Sequence, residues 1–414
     1  MSEMVGNVIV GQSGGPTAVI NSSLAGVYYT AKSLGAETVY GMRYGIQGLL
    51  DEKYIDLSTV IKNDLDVEIL KRTPSAFLGS CRYKLPAADK APEVYEKIFE
   101  VLEKLGVKYF FYIGGNDSMD TIHKLSDYAE EKNSDIRFMG VPKTIDNDLM
   151  VTDHTPGFGS AAKYIATSVK EVYRDTVGLS YKRPLVTIME IMGRNAGWLT
   201  GAAALAKDED CEGADLIYLP EVPFDVEDFL NRVRELLKTQ YHVVVAVSEG
   251  VKTAEGSYVC ELGSADGAVD AFGHKQLTGT ASYLASVVSA QIGVKTRAIE
   301  LSSLQRCGSH IASRADVEEA FAVGGTAARA AAAGTTGHMA ILTRVSTNPY
   351  ACGTDIADVH SISNAEKKVP REWITEDGTG VTKEFVSYVR PLIQGETTPF
   401  MVNGLPRHLV IPEE

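Results

Sequence analysis

The chain has 414 residues, 44% of them hydrophobic and 23% charged, with a formal net charge of −14. That length exceeds one ordinary core and predicts two domains, while an acidic balance with no Lys/Arg stripe excludes nucleic acid and acidic membrane surfaces as partners. No apolar run reaches the roughly 18 residues of a membrane span, and the opening MSEMVGN lacks the basic start of a signal peptide.

Cysteines stand at 81, 211, 260, 307 and 352, with no CxxC pair and no Cys/His cluster in the spacing. This usage fits a reducing cytoplasm and argues against a disulfide frame or structural zinc. The sequon at Asn21 is accordingly read as silent.

In chain order, Val5–Gly11 predicts a strand, Gln12–Thr17 a loop, and Ala18–Leu34 a helix that Gly35 can end. From Pro92 to Leu105 the apolar residues Val94, Ile98, Val101, Leu102 and Leu105 recur at helical spacing, with Gly106 just after. Val107–Ile113 then predicts a strand, Gly114–Ser118 a loop, and a helix runs to about Lys132. Arg137–Val141 is the next strand and ends in a polar loop.

The second half repeats this order. Leu185–Ile191 leads into a Met-Gly-Arg loop and an Ala-rich helix near 196–206, His242–Val247 into Ser248-Glu249-Gly250, and Thr296–Leu301 into another polar loop. The alanines of 326–333 read as a buried helix. Alternating strands and helices predict parallel sheets covered on both faces, whose ligands bind beyond the carboxyl ends of the strands.

The loops at those ends carry the chemistry. Gly11-Gln12-Ser13-Gly14-Gly15-Pro16-Thr17 offers backbone N–H groups and a helix dipole to a phosphate. It also matches the GxSxG elbow of serine hydrolases, but only ten residues precede it where several strands are needed. It is not a Walker A loop, because no GK[ST] follows. Gly157-Phe158-Gly159-Ser160-Ala161-Ala162 fits a dinucleotide fingerprint, yet a polar run stands where the strand should be.

Gly114-Gly115-Asn116-Asp117-Ser118 supplies polar groups at a helix start. Pro142-Lys143-Thr144-Ile145-Asp146-Asn147-Asp148 places two carboxylates at i and i+2 beside a lysine. One can take a proton from a hydroxyl, the other can help hold a metal ion, and the lysine can neutralise a phosphate. Arg82, Arg194, Arg297 and Arg306 sit at loops, and four guanidinium forks favour a phosphate site.

Together these motifs resemble the phosphofructokinase family. The resemblance rests on GQSGGPTAVIN (11–21), FLGSCR (77–82), GGNDS (114–118), PKTIDND (142–148), MEIMGRNAG (189–197), SEG (248–250) and RAIELSSLQR (297–306), all in family order. It implies an α/β fold of two αβα doubly wound domains with mainly parallel sheets. A phosphoryl-donor domain would take 1–160 with about 305–360, and a sugar-phosphate domain 161–304 with about 361–414.

The family implies Asp146 as the base on the 1-hydroxyl of fructose 6-phosphate, with Asp117, Lys143 and Arg194 as its catalytic companions. Gly14, Gly15, Arg82 and Ser118 would bind the donor. Thr144, Ile145, Asp146, Met192, Gly193, Arg194, Glu249, Ser303 and Arg306 would bind the sugar phosphate. Arg297 would reach it from a neighbouring subunit, so a homodimer or homotetramer is implied. A second such arginine falls near 182–185, where Leu185 aligns and Arg183 or Lys182 are the substitutes.

Mg²⁺ is the implied cofactor, at Asn116 and Asp148. The family usually has Asp where Asn116 stands, and His or Tyr where Ser303 stands. ATP-using relatives carry Gly at both the Asp117 and Lys143 positions, whereas pyrophosphate-using relatives carry Asp and Lys. A carboxylate at 117 would repel an α-phosphate, and Lys143 can stabilise a pyrophosphate leaving group. The expectation is a cytoplasmic enzyme using pyrophosphate and fructose 6-phosphate. Its rivals are an ATP-dependent enzyme of the same family, a silent sugar-phosphate-binding subunit, and a hydrolase using Ser13.

Overall fold

Strands whose residues are apolar on both faces need cover on both, and that requirement organises the computed structural model. It describes residues 2–263, 277, 279–362 and 366–412. The first five strands are β1 (Asn7–Gln12), β2 (Val39–Met42), β3 (Tyr54–Asp56), β4 (Val107–Gly114) and β5 (Arg137–Pro142). Next come β6 (Leu185–Ile191), β7 (Leu216–Tyr218), β8 (His242–Ser248) and β9 (Lys295–Glu300), and then β10 (His338–Thr347) and β11 (Tyr350–Asp358).

They form a seven-stranded sheet in the order β11-β10-β5-β4-β1-β2-β3 and a four-stranded sheet in the order β7-β8-β6-β9. In the larger sheet β10, β5, β4, β1 and β2 run parallel, and β11 and β3 add antiparallel edges. The smaller sheet is parallel throughout.

Alternation along each strand divides the core. In the larger sheet Val8, Val10, Phe111, Ile113, Met139 and Val141 pack with the helices Ile20–Ser33 and Arg314–Ala332. Their neighbours Ile9, Phe110, Tyr112 and Phe138 point the other way, onto Pro92–Lys104 and Asn116–Glu131. In the smaller sheet Met189, Ile191, Val244 and Ala246 face the long helix Phe158–Leu179, and Val243, Val245 and Val247 face Phe229, Leu230, Leu284 and Val288. Both sheets are therefore αβα layers, as the strand–helix alternation predicts. Among the described residues no helix is long and apolar enough to cross a membrane.

Two sequence expectations change, at 196–206 and in the pairing of a cysteine with a histidine, while the alanines of 326–333 are helical as expected. The Ala-rich stretch near 196–206 is a single α-turn, Trp198–Gly201, continued by a 3₁₀ segment, Ala202–Ala206. Small residues there serve close packing: a Cβ on Gly201 would sit 2.4 Å from the Phe385 ring. The alanines of 326–333 lie at the end of Arg314–Ala332, with Ala327, Ala328 and Ala331 buried and Arg329 exposed.

All five cysteines are free thiols, but Cys352 does stand with a histidine, its sulfur near His154 and Glu319. That histidine is already engaged: its Nδ1 lies 2.8 Å from Asp153 and its Nε2 2.7 Å from Glu319. The grouping is an ion-pair network that the sequence spacing hid. The Asn21 side chain is buried, donating to the carbonyls of Thr73 and Ser75 at 2.8 Å each.

Candidate active site

The carboxyl ends of β1, β4, β5, β6 and β8 open on one cavity of about 490 Å³. Its first wall is the turn after β1, where Gly14 takes a φ of +76° that few residues besides glycine adopt. Two side chains of the same stretch fix its neighbour loop. Gln12 accepts from the Leu78 N–H at 2.9 Å and donates to Asn21 at 2.8 Å, and Asn21 in turn accepts from Phe77 N–H at 3.0 Å. Arg82 thereby joins the cavity lining beside Gly14 and Gly15, with the Gly14 N–H donating to the Cys81 carbonyl at 3.1 Å. Ser80 closes the contact, donating to the Gly14 carbonyl at 2.6 Å.

The second wall is the start of the helix Asn116–Glu131. Ser118 is buried against Gly114, while Asp117 is exposed in the first turn, where the helix dipole favours a carboxylate. Asn116 donates from Nδ2 to Asp148 at 3.3 Å, and its Oδ1 is buried with no protein partner. An orphaned amide oxygen beside a carboxylate is what a hard cation takes, so this pair fits Mg²⁺.

The floor is the loop after β5. Lys143 is buried and donates to the Gly15 carbonyl at 2.8 Å. Burial brings its ammonium down to about 8, against the pull of Asp146 and Asp148. Asp146 accepts from the Thr144 hydroxyl at 3.2 Å, and Thr144 also receives the Asp146 N–H at 3.1 Å. Burial raises the Asp146 carboxyl above its ordinary value, with Lys143 opposing. Burial, then the Asp146 charge, pushes Asp148 up to about 7.

Between these carboxylates Asn147 turns the chain at a φ of +53° and is wholly buried. Its side chain is held by Tyr388 Oη at 3.0 Å, the Thr155 N–H at 3.1 Å and Lys367 Nζ at 3.3 Å. Lys367 also donates its backbone N–H to the Asp148 carbonyl at 2.8 Å. The C-terminal segment thus locks the loop that carries both acids.

The far wall comes from the smaller sheet. Gly193 N–H donates to Glu249 at 3.3 Å, Ser248 donates to the Gly193 carbonyl at 2.6 Å, and Met192 N–H donates to Gln305 at 3.1 Å. Gly250 must lack a side chain, since a Cβ there would lie 2.0 Å from the Arg194 carbonyl. Burial pushes Glu249 up to about 7.

Every site residue predicted from sequence lines this cavity except Arg297 and Ser303. Arg297, on β9, pairs with Asp175 at 2.5 Å, and Ser303 is exposed before the short helix Leu304–Cys307. Leu185 is buried at the start of β6, and Lys182 and Arg183 are exposed in the preceding turn. Tyr83, Asn195 and Glu366 line the cavity without having been predicted. The first two lie one residue from predicted arginines; Glu366 sits in a charged run that carries no motif.

The two decoys resolve physically. Ser13 donates to the Cys81 carbonyl at 3.5 Å, and among the described residues no histidine lines the cavity to act as its base. The helix start at Gly157 is filled by the chain's own Asp316, which accepts from the N–H groups of Gly157 and Ser160 at 2.9 and 2.8 Å.

Comparison with known proteins gives the family. The family model described as Phosphofructokinase matches residues 7–329. A pyrophosphate–fructose 6-phosphate 1-phosphotransferase of Methylococcus capsulatus is 41% identical over 407 residues, covering 98% of this chain and 96% of its own length. One of Xanthomonas campestris pv. campestris is 42% identical over 405 residues, covering 98% and 96%. The crystal structure of a pyrophosphate-dependent phosphofructokinase from Marinobacter aquaeolei superposes with a TM-score of 0.87 at 38% identity, over 99% of this chain and 98% of that one.

Proposed function

This chain belongs to the phosphofructokinase family, and from that footing we propose that it moves a phosphoryl group from pyrophosphate to the 1-hydroxyl of fructose 6-phosphate. The products are fructose 1,6-bisphosphate and phosphate. The observation that carries the reading is that Asp117, Lys143 and Asp146 line one cavity, with Lys143 buried between the Gly15 carbonyl and the acids.

Asp146 takes the proton of the sugar 1-hydroxyl as its oxygen attacks phosphorus in line. A carboxylate whose affinity for protons is raised by burial is a better base near neutrality than a solvated one. Lys143 lies where it can offset charge on the departing phosphate, and Arg82, Arg194 and Arg306 supply further cationic donors around the cavity. Asn116 and Asp148 would hold Mg²⁺, which when bound offsets the charge of the pyrophosphate oxygens. Asp117 occupies space and carries charge that an ATP α-phosphate would need.

Thr144, Ile145, Met192, Gly193, Arg194, Glu249 and Arg306 form the sugar-phosphate half. Arg297 reaches the sugar phosphate from a neighbouring subunit, with Ser303 beside that phosphate, so the working enzyme is a homo-oligomer in the cytoplasm. The donor domain takes residues 1–160 and about 305–360, the sugar domain the remainder.

The test is an assay of fructose 6-phosphate phosphorylation with pyrophosphate or ATP, each with and without Mg²⁺. Turnover with pyrophosphate and Mg²⁺ alone is expected. Robust turnover with ATP overturns the donor assignment, and none with either donor leaves a silent binding subunit.

A further inference from the structure

Two turns beyond the cavity on the helix Asn116–Glu131 stands a second group of polar side chains. His123 and Asp127 are four residues apart and so share one face of that helix. His360, from the 3₁₀ turn Val359–Ser361 after β11, lies against the same face. The two imidazole rings have centroids 4.0 Å apart. Asp127 stands between their outer nitrogens, with Oδ2 3.1 Å from His123 Nε2 and Oδ1 3.4 Å from His360 Nε2.

The tautomer of His360 is fixed from behind. Its Nδ1 lies 2.7 Å from Asp358 Oδ1, which also accepts the His360 backbone N–H at 2.9 Å. A carboxylate acceptor there makes Nδ1 the protonated nitrogen of the neutral ring and leaves the lone pair on Nε2. That lone pair then faces a carboxylate oxygen. Two acceptors at this distance repel unless a proton or a cation lies between them. A proton on His360 alone, which its contacts with Asp358 and then Asp127 favour, fills the gap as a single imidazolium, and a divalent cation in its place meets the same acceptors with twice the charge.

One donor atom from each of His123, Asp127 and His360 lies within 4.8 Å of the other two. Tetrahedral zinc, with bonds of about 2.0–2.2 Å, wants its donors roughly 3.3–3.5 Å apart. The remaining difference is a small rotamer adjustment, and the side chains are 27%, 49% and 52% exposed, so they are able to make it. The carboxylate behind His360 is also the outer support that metal-bound histidines carry.

We propose that His123, Asp127 and His360 form a zinc site, with water in the fourth position. Two imidazoles and one carboxylate suit Zn²⁺ and discriminate against Mg²⁺, which prefers oxygen. The site is a tether. It ties the helix whose first turn carries Asn116 and Asp117 to the turn six residues before Glu366 and seven before Lys367.

The test uses the full chain, stripped with EDTA, desalted and held in excess Mg²⁺ so that the oxygen site is saturated. Calorimetric titration with Zn²⁺ is expected to give one ion per chain. Co²⁺ in its place should give the intense visible bands of a tetrahedral site, and Zn²⁺ should raise Tm. His360→Ala and His123→Ala should each weaken zinc at least a hundredfold and abolish the Tm response. Asp358→Asn should weaken it about tenfold, the usual worth of an outer partner. Asp127→Asn, isosteric and exposed, serves where a histidine variant folds poorly and should also lose the ion. No zinc uptake by the native chain shows that a proton fills the gap and overturns the site. Uptake unchanged in the His360, His123 and Asp127 variants overturns it equally, by placing the ion elsewhere.

Discussion

The two sheets meet at one cavity, yet they furnish it by different means. The larger sheet brings charges together: Lys143, Asp146 and Asp148 sit on one loop, where burial first and then their mutual charges shift their protonation. The smaller sheet holds shape. Its loops are fixed by backbone contacts, with Gly193 N–H on Glu249, Ser248 on the Gly193 carbonyl, and Gly250 against the Arg194 carbonyl. Where protons and phosphoryl groups move, groups must sit close to their titration points. Where a sugar is recognised, the surface must not move.

Substitutions on the two sides should therefore fail differently. The largest effect is expected at Asp146. Asp146→Asn keeps the Thr144 contact but loses basicity, lowering kcat by roughly 10²–10⁴ with the fold intact by circular dichroism. Near-normal turnover would remove Asp146 as the base.

Next comes Asp117→Gly, read as the ratio of kcat/KM for pyrophosphate and ATP. Two like charges ~4 Å apart cost about 4 kcal/mol at an effective dielectric near 20, equivalent to roughly a thousandfold in binding. The ratio should move towards ATP by up to that factor, while the KM for fructose 6-phosphate stays put. An unchanged ratio would mean that the donor side does not discriminate through this carboxylate.

A smaller effect is expected at Arg297→Ala, which removes a charge-assisted phosphate contact and should raise the sugar KM about tenfold. The pyrophosphate KM should not follow. Since Arg297 lies outside the cavity of its own chain, an unaltered sugar KM would show that the cavity works without a neighbour's arginine.

The smallest is a pH effect. Lys143 must be protonated and the acids ionised. With Asp148 and Glu249 near 7 and Lys143 near 8, kcat/KM falls on both sides of a narrow optimum. On the alkaline side the loss from the optimum is about fivefold at pH 9, once the substrates' own titration is divided out. A flat profile from pH 6 to 9 would show that these groups do not control the step.

Most of the cavity was legible because each wall is a short strand followed by a loop of Gly, Asp, Asn or Arg, and such loops announce themselves locally. The six strands that β-rich runs predicted fell within a residue or two of their places, while β2, β3, β7, β10 and β11 went unpredicted. The misses have a common cause. Glu366, Lys367 and Tyr388 join the site through contacts with Asn195 and Asn147, which lie 171, 220 and 241 positions earlier, and nothing in their own neighbourhood marks them. Around 196–206, alanine favours helix in isolation, but packing against Phe385 and the helix Phe158–Leu179 imposed a tighter turn. The carboxylate that fills the helix start at Gly157 is likewise invisible locally, because Asp316 arrives from a distant helix.

The lock on Asn147 sets a timetable for the nascent chain. Asn147 leaves the ribosome 241 residues before Tyr388, the last of the three partners that hold its side chain. At about 5–20 residues per second, that interval is roughly 12–50 s. Throughout it the loop bearing Asp146 and Asp148 has its Thr155 contact but neither Lys367 nor Tyr388, so a ribosome-bound fragment that already contains every motif of the cavity is expected to be a poor catalyst. Activity should then arrive late in translation, with the residues that no motif announces.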